Sequence, residues 1–386
     1  MSQPRKKPIP NSSKLLLLDD VVFDILTRVP VKSLIRFRCV SKSLNSTITS
    51  PSFITTHLNK IKSLPINNDD HNGFLVYSKL TELCTVVYNS DRILTEISKF
   101  KIPFSSRGSH VIGFCNGLFC IDNHILYLWN PSVKKYKILV PPRLNHPIDS
   151  ITFGLAYHSQ NNDFKILRLA CYKRFRGETE PAAEVDIYTL SNDSWRKVVI
   201  SVESKADIGA IALIYKSPCL FFNGALHSIA CTMDRSFILC FDVNDERFHE
   251  IMLPRNCFDE VGRYLEYLVV FKGSLALIVF IKDILNDLTS MCHIWVMRDY
   301  GVVESWTKKS VPVKFAPNGD YSCARPCTDN GELLFRNRAR LISFEPETLN
   351  ENFLAIEDFN WLGYTANSIN SLVLFDGVNV PSEHRD

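Results

Sequence analysis

Five aromatic residues, Tyr136, Trp195, Phe248, Trp306 and Phe353, recur at intervals of 59, 53, 58 and 47 positions, and each sits in the same kind of phrase. An apolar run is followed by a polar turn, the aromatic residue and a second short β-type run: LYLWNPSVKKYKIL, VDIYTLSNDSWRKV, ILCFDVNDERFHEI, IWVMRDYGVVESWTKK and LISFEPETLNENFLAI. A second element, a glycine turn between apolar runs, returns as Asn116-Gly117, Asn223-Gly224, Lys272-Gly273 and Asn330-Gly331. Glycine takes the positive φ that tight hairpin turns require. Gaps of 107, 49 and 58 residues put two units in the first interval, one of them lacking the glycine. Two hairpins per period of about 54 residues is the pattern of a four-stranded propeller blade. One hairpin pair cannot bury both of its faces, whereas blades stacked about an axis bury each sheet against its neighbours. Residues 73–375 hold about six such units. An irregular β-sandwich is the competing arrangement. The recurring aromatics are read as packing between blades rather than as a ligand box.

Upstream of Gly73 the period is different. Residues 15–58 read as three or four short amphipathic helices broken at Pro30-Val31, near Val40 and at Ser50-Pro51. Leu18, Val22, Ile25, Leu26 and Val29 form one apolar stripe. Asp19 or Asp20 is placed to cap its free N–H groups, and Pro30 stops it by pushing Val29 out of the helical region. Ser50-Pro51 supplies a capping hydroxyl and a proline at the first helical position, opening a stripe of Ile54, His57, Leu58 and Ile61. So small a piece holds little core of its own, which leaves its apolar faces to be buried against another protein. The expected chain is mainly β: a disordered basic tail (1–14), a helical unit (15–60), a linker (61–72), a β-propeller-like domain (73–376) and a disordered C-terminal tail (377–386).

Residues 21–43, VVFDILTRVPVKSLIRFRCVSKS, resemble the F-box of plant proteins almost position by position. Leu18 stands where that family has proline, and Leu44 where it usually has tryptophan. Exchanging tryptophan for leucine gives up apolar burial worth roughly 1–2 kcal/mol at a fully buried site. Downstream, LWNPS (128–132), DIYTLSNDSWRKV (186–198), CFDV (240–243) and IWVMRDYGVVESWTK (294–308) resemble the F-box-associated interaction domain, often labelled F-box/kelch-repeat. The double glycine of true kelch repeats is missing, so the kelch label fits less well. The resemblance implies a substrate-recognition subunit of a ubiquitin ligase. Leu17, Leu18, Val22, Ile25, Leu26, Val29, Pro30, Leu34, Cys39 and Val40 would dock a Skp-type adaptor, and through it a cullin, while the propeller holds a protein target. Such a chain supplies proximity rather than catalysis. A sequestering module that binds the adaptor without ligase function is the alternative. A propeller enzyme, such as a glycoside hydrolase or a copper oxidase, would leave the F-box unexplained.

Composition narrows the setting. The longest apolar runs, Leu15–Leu18 and Leu275–Ile281, fall far short of the ~20 residues that cross a bilayer, and Arg5-Lys6-Lys7 leads into prolines and polar residues rather than a signal-peptide core. The expectation is a soluble protein without membrane partners. Twelve cysteines occur without a CxxC pair, several inside strand-like runs where a free thiol behaves as a small hydrophobe. This points to a reducing compartment, cytoplasm or nucleus, and makes the glycosylation-type sites at Asn11, Asn45 and Asn192 chance matches. Residues 1–60 carry ten Lys/Arg against three Asp/Glu. With no groove-reading motif to suggest nucleic acid, this bias favours an acidic protein partner.

No catalytic, cofactor-binding or metal-binding residues emerge, and an enzyme is not expected. GxSxG, HExxH, GxxxxGK[ST] and GxGxxG are all missing. His227 and His293 sit in strand-like runs as structural histidines. Cys323 and Cys327 bracket Arg325-Pro326, a zinc half-site at best, with no second pair close in sequence. For the target, the longest polar interruption is CYKRFRGETEPAAE (171–184). Its Tyr172, Arg174, Phe175 and Arg176 are of the types enriched at binding hot spots, with RNCFDEVGRY (255–264) as a second candidate loop.

Overall fold

The computed structural model describes residues 12–63, 73–78, 82–88, 94–101, 110–122, 125–173, 183–200, 211, 213–214, 219–232, 234–257, 263–282, 290–313, 327, 331–337, 340–353, 371–373 and 378–379. Four helices open the chain: α1 (Ser12–Thr27), α2 (Val31–Phe37), α3 (Lys42–Thr49) and α4 (Pro51–Ser63). The breaks fall where the sequence places them. Pro30 is extended before α2, Ser41 Oγ accepts the Leu44 N–H at 3.1 Å to cap α3, and Ser50 Oγ accepts the Phe53 N–H at 3.3 Å ahead of Pro51. One expectation fails. α1 starts at Ser12, so Asp19 and Asp20 lie within it rather than capping it; the strong helix formers Leu15–Leu18 carry the helix upstream.

The strands form six antiparallel sheets. They are β1 (Gly73–Ser78), β2 (Glu82–Tyr88) and β3 (Leu94–Lys101); β4 (His110–Cys115), β5 (Leu118–Asp122), β6 (Leu126–Asn130) and β7 (Lys135–Leu139); β8 (Ile148–His158), β9 (Asp163–Tyr172), β10 (Glu184–Thr189) and β11 (Ser194–Val198). Then follow β12 (Leu213–Ile214), β13 (Leu220–Phe222), β14 (Ala225–Cys231), β15 (Ser236–Asp242) and β16 (Phe248–Met252); β17 (Arg263–Phe271), β18 (Ser274–Lys282), β19 (Ser290–Met297) and β20 (Trp306–Val313); and β21 (Leu333–Asn337), β22 (Arg340–Glu345) and β23 (Asn350–Phe353). A last strand, β24 (Val378–Asn379), pairs with β7 and so returns the chain to the second sheet. Those two residues belong to the propeller rather than to a tail.

The recurring aromatics lie on β7, β11, β16, β20 and β23, the strand that closes each up-and-down meander, opposite Trp129, Tyr188, Phe241, Met297 and Ile342 of the preceding strand. Two of these pairs bring rings together, Tyr188 to Trp195 at 5.4 Å and Phe241 to Phe248 at 4.9 Å, and such cross-strand pairs contribute roughly 0.2–1 kcal/mol each. At the first hairpins Asn116-Gly117, Asn223-Gly224 and Lys272-Gly273 have both central residues at positive φ, the twist-matched turn that glycine makes accessible.

The core decides between sandwich and propeller. Each major cluster is shared by consecutive sheets: Leu118, Leu128, Phe164 and Ile166 between the second and third, Leu167, Ile187, Phe237 and Phe241 between the third and fourth. Ile238, Cys240, Leu277 and Val279 join the fourth to the fifth, and Ile278, Ile294, Leu333 and Phe344 the fifth to the sixth. This serial burial is that of stacked blades. The first strands crowd one another: a Cβ on Gly154 of β8 would lie 2.6 Å from Cys219 Cβ and 2.8 Å from Leu226 Cδ2. Gly154→Ala is therefore expected to cost about 1–3 kcal/mol by overpacking, measured by urea unfolding; an unchanged midpoint would contradict this close approach.

Candidate functional site

The helical unit presents two apolar faces rather than one. Leu26, Val31, Leu34, Ile48 and Phe53 are buried together with Leu372, and His57, also buried, donates through Nε2 to Val29 O at 3.1 Å, tying α4 to the end of α1. The other face is open: Val21, Val22 and Ile25 on α1 are 54%, 39% and 56% exposed, and Phe37 at the end of α2 and Val40 beyond it are 38% and 70% exposed. The expected stripe is thus divided. Val22, Ile25, Pro30, Cys39 and Val40 are at the surface, whereas Leu26 and Leu34 are core and Val29 is half-buried against that core. Leu26 and Leu34 are corrected from contact residues to core residues, because a helix as apolar as α1 has hydrophobic positions to spare after its own core is filled. The side chains of Leu17 and Leu18, on α1, lie outside the described ones. Leu44 packs half-buried against the same core, so the missing indole subtracts from this unit's own packing.

Basic side chains surround the exposed row. Arg28, Lys32, Arg36 and Lys42 are exposed, and the Asp24 carboxyl is held below its usual range by hydrogen bonds from Lys60 and Arg28, at 3.0 and 2.9 Å.

On the propeller, Tyr172 ends β9 buried, its hydroxyl donating to the Glu184 carboxylate and its ring 5.2 Å from His146. It is corrected from a contact residue to a strand-end anchor, since β9 continues through it and β10 begins at Glu184. Arg174, Phe175 and Arg176 lie outside the described residues. In the second loop, Arg255 and Asn256 are exposed and Cys257 is buried. A polar cleft of about 350 Å³ between the third and fourth sheets is lined by His158, Asp163, Lys165, Ser191, Arg196 and Glu246, among others. Its charges are met from within: Lys165 Nζ donates to Val243 O and Glu246 Oε1, both at 2.8 Å, Arg196 pairs with the other Glu246 oxygen, and Asp163 accepts from Ser191. The cleft buttresses two blades. Among the described residues no group of three or more His, Cys, Asp or Glu is placed to hold a metal ion. Cys323 lies outside them, and Cys327 is buried in an apolar cluster. No described helix is long and apolar enough to cross a membrane.

A family model described as the F-box domain matches residues 15–56, and one described as the F-box associated beta propeller domain matches residues 69–345. The chain belongs to the F-box proteins that carry this propeller. Its relatives include the F-box protein CPR1 of Arabidopsis thaliana, 27% identical over 366 residues that cover 88% of this chain and 84% of that protein. An F-box/kelch-repeat protein of the same plant is 26% identical over 301 residues, 75% of this chain and 77% of the relative. Among solved structures, an alpha-L-arabinofuranosidase from Lactobacillus brevis superposes with a TM-score of 0.37 at 12% identity, over 67% of this chain and 88% of the enzyme; a likeness that low bears on neither fold nor activity.

In this F-box protein the segment 294–308 locks two blades together. Tyr300, in the turn after β19, donates its hydroxyl to His227 Nε2 of β14 at 2.7 Å, while His227 Nδ1 donates to Leu220 O at 3.2 Å. Cys240 Sγ lies 3.6 Å from the imidazole and 3.5 Å from the phenol. The trio looks like a nucleophile with a base, but burial pushes the thiol up to about 11 and depresses the histidine to about 4, so no thiolate forms at neutral pH. Sequence alone missed the trio because His227 and Cys240 meet across β14 and β15 while Tyr300 arrives from the next blade. A pH dependence follows. His227 is neutral in the fold, and below 6.5 the unfolded chain binds the proton more readily. Stability is full above 6.5 and falls as pH drops towards 4, by up to about 3 kcal/mol. Unfolding curves of His227→Gln are expected to be flatter across that window than those of the parent; parallel curves would show that the imidazole titrates normally.

Proposed function

We propose that this F-box protein is the substrate-recognition subunit of a cullin-type ubiquitin ligase, in which the F-box docks a Skp-type adaptor and the propeller recruits a protein for ubiquitination by partner enzymes. The observation that carries this reading is the open apolar row Val21, Val22, Ile25, Phe37 and Val40, left over after the F-box has filled its own core. Five large hydrophobics at the surface of a small helical unit are the mark of an interface, and the surrounding Arg28, Lys32 and Arg36 suit an acidic partner. The ten cysteines with described side chains are free thiols, which fits work in cytoplasm or nucleus.

The arrangement also supports a division of labour between the two ends of the propeller. In a four-stranded meander the first and third connections fall at one end and the second at the other. The F-box rests at the third-connection end of the second sheet, beside Asn130. The loop joining β9 to β10 is a second connection, and the strand ends it joins, Tyr172 and Glu184, lie at the opposite end. Arg174, Phe175 and Arg176 in that loop are the proposed target contacts, and their joint replacement by alanine is expected to reduce target capture with adaptor binding intact.

Affinity capture of the full chain from plant tissue, with protein degradation inhibited, tests the proposal. Adaptor and cullin are expected with the parent chain, together with target proteins that Ile25→Asp/Val40→Asp retains after losing the adaptor. Recovery of adaptor without cullin would favour a sequestering module, and recovery of neither would remove the ligase reading.

A further inference from the structure

The core of the F-box is completed from the opposite end of the chain. Leu372 is 4% exposed and belongs to the cluster of Leu26, Val31, Leu34, Ile48 and Phe53. Its neighbours are gripped by the propeller. Asn130, buried at the end of β6, donates through Nδ2 to Val373 O at 2.9 Å and Ser371 O at 3.4 Å. The same side chain accepts from Ser132 N at 2.9 Å and Val133 N at 3.4 Å through Oδ1, and Ser132 Oγ accepts from Ser371 N at 3.3 Å. With donor and acceptor both engaged, the amide has one orientation. Val373 packs against the cluster between the second and third sheets, to which Leu58 of α4 also belongs, and β24 then closes onto β7. Adjacent residues of one segment thus enter two cores, Leu372 that of the F-box and Val373 that of the propeller. The LWNPS phrase, whose Asn130 and Ser132 form the grip, acquires a physical role.

We propose that residues 371–373 are a completion strap: the F-box reaches its adaptor-binding form only after the propeller has closed and the end of the chain is seated. A helical unit this small is marginal by itself, and the strap supplies one of the six fully buried members of its core. The F-box precedes the propeller in the chain and Leu372 follows it, so a chain whose propeller is unfinished is kept from occupying the adaptor without a working target site. The same contacts fix the F-box on the propeller as a single arm.

The part concerning the adaptor rests on the function proposed above, so the test has an arm independent of it. Hydrogen exchange is measured on the full chain and on Leu372→Ala, Leu372→Val and Asn130→Ala, and adaptor affinity is measured on the same proteins. In Leu372→Ala and Asn130→Ala, amides of α1, α2 and α3 are expected to exchange at least tenfold faster, with a smaller effect in Leu372→Val. Protection of β14, β15, β18 and β19 is expected to stay unchanged, and adaptor affinity to fall at least tenfold. Should Leu372→Ala unfold the whole chain, Leu372→Val decides by the same criterion. Unchanged exchange in the helices would overturn the strap, including when affinity falls, since Leu372 would then act as a direct contact. If the parent chain binds no adaptor, the ligase reading fails while the exchange arm still decides the strap.

Discussion

Asp186→Ala is expected to destabilise the propeller by about 3–5 kcal/mol, because it leaves a buried guanidinium without its counter-ion. Arg168 and Asp186 face each other across β9 and β10, with side chains 2% and 0% exposed. Arg168 donates Nε at 2.9 Å and Nη2 to the same carboxylate oxygen, Nη1 donates to Pro142 O at 2.6 Å, and the guanidinium carbon lies 5.9 Å from the Trp195 ring centroid. This one ion pair fastens two strands, an inter-blade connection and a repeat aromatic. Replacing both partners by apolar residues of similar volume removes the unpaired charge, so Arg168→Met/Asp186→Leu should recover most of the loss. Urea unfolding of the single and double variants measures it. A single variant that costs under about 1 kcal/mol would mean that water reaches the pair.

The second large effect is on binding. Ile25→Asp/Val40→Asp is expected to weaken the adaptor complex at least about a hundredfold, close to 2.7 kcal/mol, since each carboxylate would be buried unpaired at the interface. In the free chain both positions are more than half exposed, so its melting temperature should hardly move. Leu34→Asp makes the contrast: at 0% exposure inside the F-box core, it should unfold the helices and lose binding for that reason. Circular dichroism beside the titration separates a lost contact from a lost fold. A double variant that binds as tightly as the parent would place the interface elsewhere.

Much of this architecture is legible in the sequence, because the relevant signals are local. The aromatic period marks the closing strand of successive meanders, from Tyr136 on β7 to Phe353 on β23, since each repeats the same cross-strand role. Ser41, Ser50 and Pro30 mark helix ends through hydrogen bonds and sterics within a few residues. What the sequence could not show is which apolar residues the chain keeps for itself. Val22 and Leu26 belong to one stripe by spacing, yet only Leu26 is buried, because it alone of the two packs with Val31, Leu34, Ile48, Phe53 and the distant Leu372. Tyr172 reads as a hot spot by residue type, but strand continuation buries it. His227, Cys240 and Tyr300 meet only when two blades stack, as do Arg196 and Glu246. Long-range pairings of this kind leave no periodic trace.

Docking of the F-box is measured most directly by calorimetric titration of a purified Skp-type adaptor into the 386-residue chain. A saturable one-to-one complex that disappears with Ile25→Asp/Val40→Asp while the propeller remains folded is the expected result. No heat of binding to the folded parent chain, or equal binding by the double variant, would contradict it.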